Sequence, residues 1–172
     1  MIEVQDNLFP TELLDKTFNY FENYKEWEEL PDSPHGEDLS TLGKPFEHNF
    51  EPIAKEFLQY LDRQEFRRCI YNCFRPGDCP QPHVDSSDWN GFTYMIYLSP
   101  NWNVTLGGET IFIDGEEIFR TVVPLYGRLV KFKSEIPHAA RPPLRGKRYS
   151  LVFQTHPIGF ETLGQIGFLG KD

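Results

Sequence analysis

No apolar stretch in these 172 residues approaches the roughly 20 that a bilayer-spanning helix needs, so a membrane-embedded chain is not expected. The opening Met-Ile-Glu-Val-Gln-Asp has neither the basic nor the apolar region of a secretory signal, which makes a cytoplasmic setting the expectation. Cysteine is scarce. Three of them, an odd number, give no disulfide framework and suit a reducing compartment. Cys69, Cys73 and Cys79 stand four and six residues apart, which is not zinc-knuckle spacing, and no second pair follows. Cys69 and Cys73 are expected to be small core residues on one strand face. Positive charge is short as well: 17 Lys and Arg against 26 Asp and Glu leave a net charge of −9 with no basic stripe. A phosphate backbone is repelled by such a chain, so nucleic acid is not an expected partner. Internal repeats, low-complexity tracts and a second core are all missing, and residues 1–172 are read as one domain.

What the chain does have is aromatic weight. It carries 15 Phe and 8 Tyr, and at this length that is enough to fill a compact β interior. The first sixty residues read as helical. Thr11 is placed to cap a segment in which Leu14, Phe18 and Phe21 recur on one helix face. The polar stretch from Asp32 to Lys44 reads as a loop, and a second helix is expected from Pro52, with Ile53, Phe57 and Leu61 at four-residue intervals. After Gln64 the period changes. Short segments rich in β-branched and aromatic residues run from Arg67 to Phe74, Thr93 to Leu98, Thr110 to Ile113, Ile118 to Val123, Arg128 to Lys133 and Tyr149 to Thr155. Shorter strands are expected near His83 and His138. Many short strands without intervening helices predict a mainly β fold, a sandwich or jelly roll over about 65–157, with helical support from about 1–64 covering one sheet from outside. The segment after Pro157 reads as an irregular tail.

The first chemically loaded feature is His83-Val84-Asp85. On a strand, residues two apart face the same way, so an imidazole and a carboxylate can converge on one ion. Taken alone, His-x-Asp reads rather as a surface histidine bonded to a carboxylate. His138 follows the segment Arg128 to Lys133, and Arg148 lies ten residues further on. Two histidines and one carboxylate can fill one face of an octahedron and leave three positions open, the arrangement that suits non-haem Fe(II). Arg148 adds a planar, bidentate partner for a carboxylate. Strand alternation puts Arg148, Ser150 and Val152 on one face and Tyr149, Leu151 and Phe153 on the other.

In this order, His83-x-Asp85, His138 and Arg148 resemble the Fe(II)/2-oxoglutarate dioxygenase superfamily, and within it the prolyl-4-hydroxylase-like branch. Gly77, the strand Thr93 to Leu98, the turn and strand Gly107 to Phe112, and Gly127 to Phe132 also fall where that family has their counterparts. The resemblance covers roughly residues 67 to 155. It implies a double-stranded β-helix with the metal in its open end. It implies Fe(II) held by His83, Asp85 and His138, with 2-oxoglutarate as cosubstrate, O2 as oxidant and ascorbate as an optional reductant. The far carboxylate of the cosubstrate is expected on Arg148, with Tyr97, Ser150 and Thr93 as further contacts. For Tyr97 and Thr93 the rival is ordinary core packing. One departure from the branch is that Cys73 and Phe74 stand where many prolyl hydroxylases carry a tyrosine, and Tyr71 is displaced from that position.

His156, the rival to His138, lacks an arginine at the family spacing and reads as a loop or core residue, while His35 and His48 read as exposed. Trp89 is expected at a substrate entrance or as a cover on the rim. The substrate implied by the branch is a prolyl residue in a peptide or protein. A free amino acid or another small metabolite is the alternative on the same scaffold, because fold and triad do not set the substrate. The alternative of another class is a non-catalytic jelly-roll module that binds a metal or ligand without turnover. Arg148 in register with His138 argues against it, since a pure binder needs no cosubstrate anchor.

Overall fold

In a computed structural model the described residues are 1–30, 41–47, 51–62, 66–87 and 91–155. They form ten strands and two α-helices: β1 Ile2–Gln5, α1 Thr11–Asn23, β2 Glu28–Leu30, β3 Thr41–Glu47, α2 Pro52–Leu58, β4 Phe66–Phe74, β5 Phe92–Tyr97, β6 Thr110–Asp114, β7 Glu117–Val122, β8 Leu129–Lys133, β9 His138–Ala140 and β10 Arg148–Thr155. A seven-stranded sheet runs in the order β1-β8-β5-β10-β4-β3-β2, and a three-stranded sheet in the order β7-β6-β9. Every pairing is antiparallel. A bridge between His83 and His138 adds one more rung beside β9. This is the two-sheet jelly roll that the short, aromatic-rich segments predict. Among the described residues no helix is long and apolar enough to cross a membrane.

Alternation along each strand divides the interior into two cores. Cys69, Tyr71 and Cys73 of β4, Tyr94 and Ile96 of β5, and Tyr149, Leu151 and Phe153 of β10 face the helices. There they meet Leu13, Leu14 and Phe21 of α1 and Ile53, Ala54 and Phe57 of α2. Phe21 lies stacked on Tyr149 at 5.7 Å and edge-on to Tyr71 at 4.7 Å. The opposite faces bury Met95, Tyr97, Phe112, Val122, Val130, Phe132 and Val152 between the sheets. Burial pushes the Cys73 thiol up to about 11 and raises Cys69 as well, so both are protonated packing residues at neutral pH.

Two readings of the N-terminal third need correction. Thr11 is not the helix cap: Pro10 occupies that position without a side-chain bond, and Thr11 is the first helical residue. The first sixty residues are not helical throughout either, because β1, β2 and β3 join the large sheet. The four residues of β1 are too few to show a period. β3 contains Gly43 and Pro45, which normally argue against a strand. Proline is tolerated because β2 pairs with Thr41, Leu42 and Gly43, so among the described residues the strand has no outer partner at Pro45. His35, His48, Trp89, His156 and the tail lie outside the described residues.

Candidate active site

The site lies in a cavity of about 330 Å3 between the two sheets. His138 begins β9 and is 3% exposed, whereas His83 stands in an otherwise irregular segment and is exposed. The two are joined through the backbone, His83 N–H donating to the His138 carbonyl at 3.0 Å and His138 N–H to the His83 carbonyl at 2.9 Å. Asp85 does not arrive by strand alternation, since only residue 83 of this segment is paired. Its N–H donates instead to the Ser134 carbonyl at 2.9 Å, one residue past the end of β8. The outcome is still convergence: ligand atoms of His83, Asp85 and His138 lie within 4.8 Å of one another. Each imidazole Nε2 is 3.7 Å from a different oxygen of the Asp85 carboxylate.

The surroundings set both rings in one state. Nδ1 of His83 lies 3.0 Å from the Gln81 carbonyl and Nδ1 of His138 lies 2.9 Å from the Ile136 carbonyl. Carbonyls only accept, so in each neutral ring the proton sits on Nδ1 and the Nε2 lone pair faces the cluster. Burial is the main cause that lowers the pKa of His138, and the neighbouring His83 and Arg148 add to it against the pull of Asp85. Asp85 is oriented in turn by Thr93, whose hydroxyl donates to Oδ2 at 2.6 Å and lies 3.0 Å from the Ser134 hydroxyl. Thr93, expected at the cosubstrate, is therefore a partner of Asp85.

At the other end of the cavity Arg148 is 1% exposed. Its guanidinium carbon stands 4.8 Å from the Phe74 ring centre and 5.0 Å from that of Tyr97. Nη2 donates to Thr110 Oγ1 at 2.9 Å, and Nε has no partner. Among the described residues no carboxylate lies within ion-pair distance of Arg148. The hydroxyl of Ser150, on the same face of β10, is buried and also without a partner. Tyr97 sits one step behind the wall. It does not line the cavity, and its hydroxyl donates to Thr110 at 2.7 Å, so Thr110 presents the polar surface that Tyr97 was expected to supply. Thr110 escaped the sequence reading. Its only signal was its place in the Gly107-Gly108-Glu109-Thr110 turn, two residues beyond Gly108. Gly108, at φ +73°, lies so close that a Cβ would stand 3.1 Å from both Arg148 Cδ and the Trp102 ring. The turn thus closes over the stem of Arg148, where the positive φ and the tight contacts both favour glycine.

A jelly roll that gathers two imidazoles and a carboxylate at one end of a pocket, with an unpaired guanidinium at the other, has the layout of a metal-dependent oxygenase. The sequence matches the model of the 2OG-Fe(II) oxygenase superfamily over residues 69–156, just over half of the chain, and the chain belongs to that superfamily. It is by family a dioxygenase that uses iron and 2-oxoglutarate. No curated protein matches the sequence. Among solved structures, a prolyl-4-hydroxylase from Pseudomonas putida shares the fold with a TM-score of 0.73 and 19% identity, over 90% of this chain and 92% of that one. A prolyl hydroxylase from Trichoplax adhaerens, in complex with a peptide fragment of the hypoxia inducible factor oxygen degradation domain, gives 0.71 and 15% over 96% and 86%. A viral collagen prolyl hydroxylase from Paramecium Bursaria Chlorella virus-1, in a 2-oxoglutarate complex, gives 0.60 and 17% over 89% and 94%. At these identities the likeness speaks for the fold.

Proposed function

We propose that this chain hydroxylates a prolyl residue in a peptide or protein, with Fe(II) on His83, Asp85 and His138 and the far carboxylate of 2-oxoglutarate on Arg148. The observation that carries this reading is the buried guanidinium. A fully enclosed cation without a counter-ion is costly, and the cost is removed when a carboxylate enters. The orphaned Nε of Arg148 and hydroxyl of Ser150 offer that carboxylate two further donors, and Thr110 adds a second hydroxyl. The donor set at the other end fits a ferrous ion: two Nε2 lone pairs and one carboxylate that Thr93 holds in place.

When bound, iron and 2-oxoglutarate supply the oxidising chemistry, in which O2 converts the cosubstrate to succinate and CO2 as the substrate gains a hydroxyl. The residues of the chain bind, orient and exclude. Phe74 and Tyr97 sandwich the guanidinium and keep water from it. Phe132, edge-on to His138 at 4.7 Å, closes the inner side of the cluster, so substrate approaches from the exposed side of His83. Support for a prolyl substrate comes from the scaffold shared with prolyl hydroxylases, one of them in complex with a peptide fragment. Three free cysteines support a reducing, cytoplasmic setting, in which ascorbate is a suitable accessory reductant. The test is a screen of proline-containing peptides and free amino acids with iron, 2-oxoglutarate and air, read by succinate release and by mass spectrometry. An oxygenated prolyl peptide, absent with His138→Ala, is the expected product. Oxygenation of free amino acids alone refutes the peptide assignment.

A further inference from the structure

The floor of the cavity is a grid set by the register of three strands. Thr93 of β5 pairs with Gln154 of β10, and Gln154 with Arg68 of β4. The next row inward is apolar: Met95, Val152 and Ile70. Then comes Ser150 between Tyr97 and Asn72, and finally Arg148 beside Phe74. The row of Thr93 is the row of the metal cluster, because Thr93 holds Asp85. From that cluster, Gln154 and Arg68 lead away toward β4, each step about 5 Å.

Neither the metal cluster nor the Arg148 end uses these two residues. Gln154 lines the cavity and is 2% exposed, yet its Oε1 has no hydrogen-bond partner. Arg68 lines the same cavity, and its buried Nε is also unpartnered. An orphaned acceptor and an orphaned donor are thus strand neighbours, next to the reactive end and separated from the Arg148 end by the apolar row. Each such group costs stability unless something enters to satisfy it.

We propose that Gln154 and Arg68 form the subsite that holds one main-chain peptide unit of the substrate beside the residue to be hydroxylated. The inference rests on the reading that this cavity oxidises a peptide. A peptide unit offers an N–H to Gln154 Oε1 and a carbonyl to Arg68 Nε, and so satisfies both orphans at once. A free amino acid also offers a donor and an acceptor, but as an ammonium and a carboxylate that must both be stripped of water to enter, which a neutral peptide unit avoids. The pair therefore selects a substrate with blocked termini over a free amino acid.

The test uses the full chain and its Gln154→Leu and Arg68→Met variants, loaded under nitrogen with Mn(II) and 2-oxoglutarate. The probe is a pool of short proline-containing peptides, acetylated and amidated at their ends, with free L-proline as the second arm. Retention on the immobilised protein is read by mass spectrometry, and KM and kcat are then measured in air with iron. Each variant should lower retention about tenfold and raise KM more than it lowers kcat. Gln154→Leu should also raise Tm of the unloaded chain by roughly 2–4 °C, because it removes an unsatisfied buried group. A merely structural glutamine would lower it. Undiminished peptide retention in both variants overturns the subsite, and so does wild-type preference for free proline. Failure of the wild-type chain to bind Mn(II) with 2-oxoglutarate is a different result: it removes the parent reading, and the subsite with it.

Discussion

Arg148 is almost wholly enclosed, and among the described residues its guanidinium meets a threonine hydroxyl, a methionine sulfur and two aromatic rings. Burial lowers its pKa, but an arginine stays charged at neutral pH, so the cavity keeps a cation with no carboxylate at ion-pair distance among the described residues. Lysine would retain the charge and lose the planar fork. Arg148→Lys is therefore expected to weaken 2-oxoglutarate binding by about tenfold or more, measured by calorimetric titration, with Tm little changed. Thr93 carries the other residue-scale prediction. Thr93→Val preserves shape and removes the bond that orients Asp85, so the affinity for Mn(II) should fall about 10–100-fold in an equilibrium titration. Unchanged affinity would mean that Asp85 is held by its backbone bond to Ser134 alone. At this scale the sequence was readable where a residue's chemistry announces itself. His83, Asp85, His138 and Arg148 are rare groups at telling intervals, and the structure brings them to one cavity. Thr110 and Gln154 are common residue types, and their importance comes from register across strands, which no linear spacing displays.

The elements that hold these residues follow from alternation, and the helices follow from what alternation leaves exposed. β4, β5 and β10 are legible because their two faces carry different residues: aromatic toward the helices, mixed polar toward the cavity. β1 and β2 are not legible, because short edge strands draw their stability from neighbours distant in sequence, and β3, which lies between β2 and β4, is hidden by its Gly43 and Pro45. The turn before β8 shows how tightly the layers fit. Gly127, at φ +74°, donates to the Tyr97 carbonyl at 2.8 Å, and a Cβ there would stand 2.6 Å from Leu14 of α1. Gly127→Ala should cost about 1–3 kcal/mol in denaturant unfolding, from a disfavoured backbone and a displaced Leu14 side chain. β1 is fastened beside β8 by the paired bonds of Arg128 to Asp6, both at 2.7 Å. Bonding to Arg128 is the largest cause that lowers the Asp6 pKa. Its contribution is accordingly full above the ordinary carboxylate value and is lost as pH falls through the lower folded value. Asp6 is exposed enough that Asp6→Asn should cost no more than about 1 kcal/mol at neutral pH, and the difference from wild type should vanish in strong acid.

Over the whole molecule, two sheets form one pocket with unlike ends. The large sheet carries Arg148 and Ser150 on its inner face, and the β9 edge of the small sheet carries His138. A ligand that spans the pocket, with one end on the guanidinium and the other on an ion at the triad, joins the sheets. Its binding then depends on both ends. Calorimetric titration of 2-oxoglutarate under nitrogen, with and without Mn(II), measures that dependence directly. For the wild-type chain the account predicts binding that is at least about tenfold tighter with the metal, and a metal effect that disappears in His138→Ala. Equal affinity with and without Mn(II), or a metal effect that survives in His138→Ala, would contradict it.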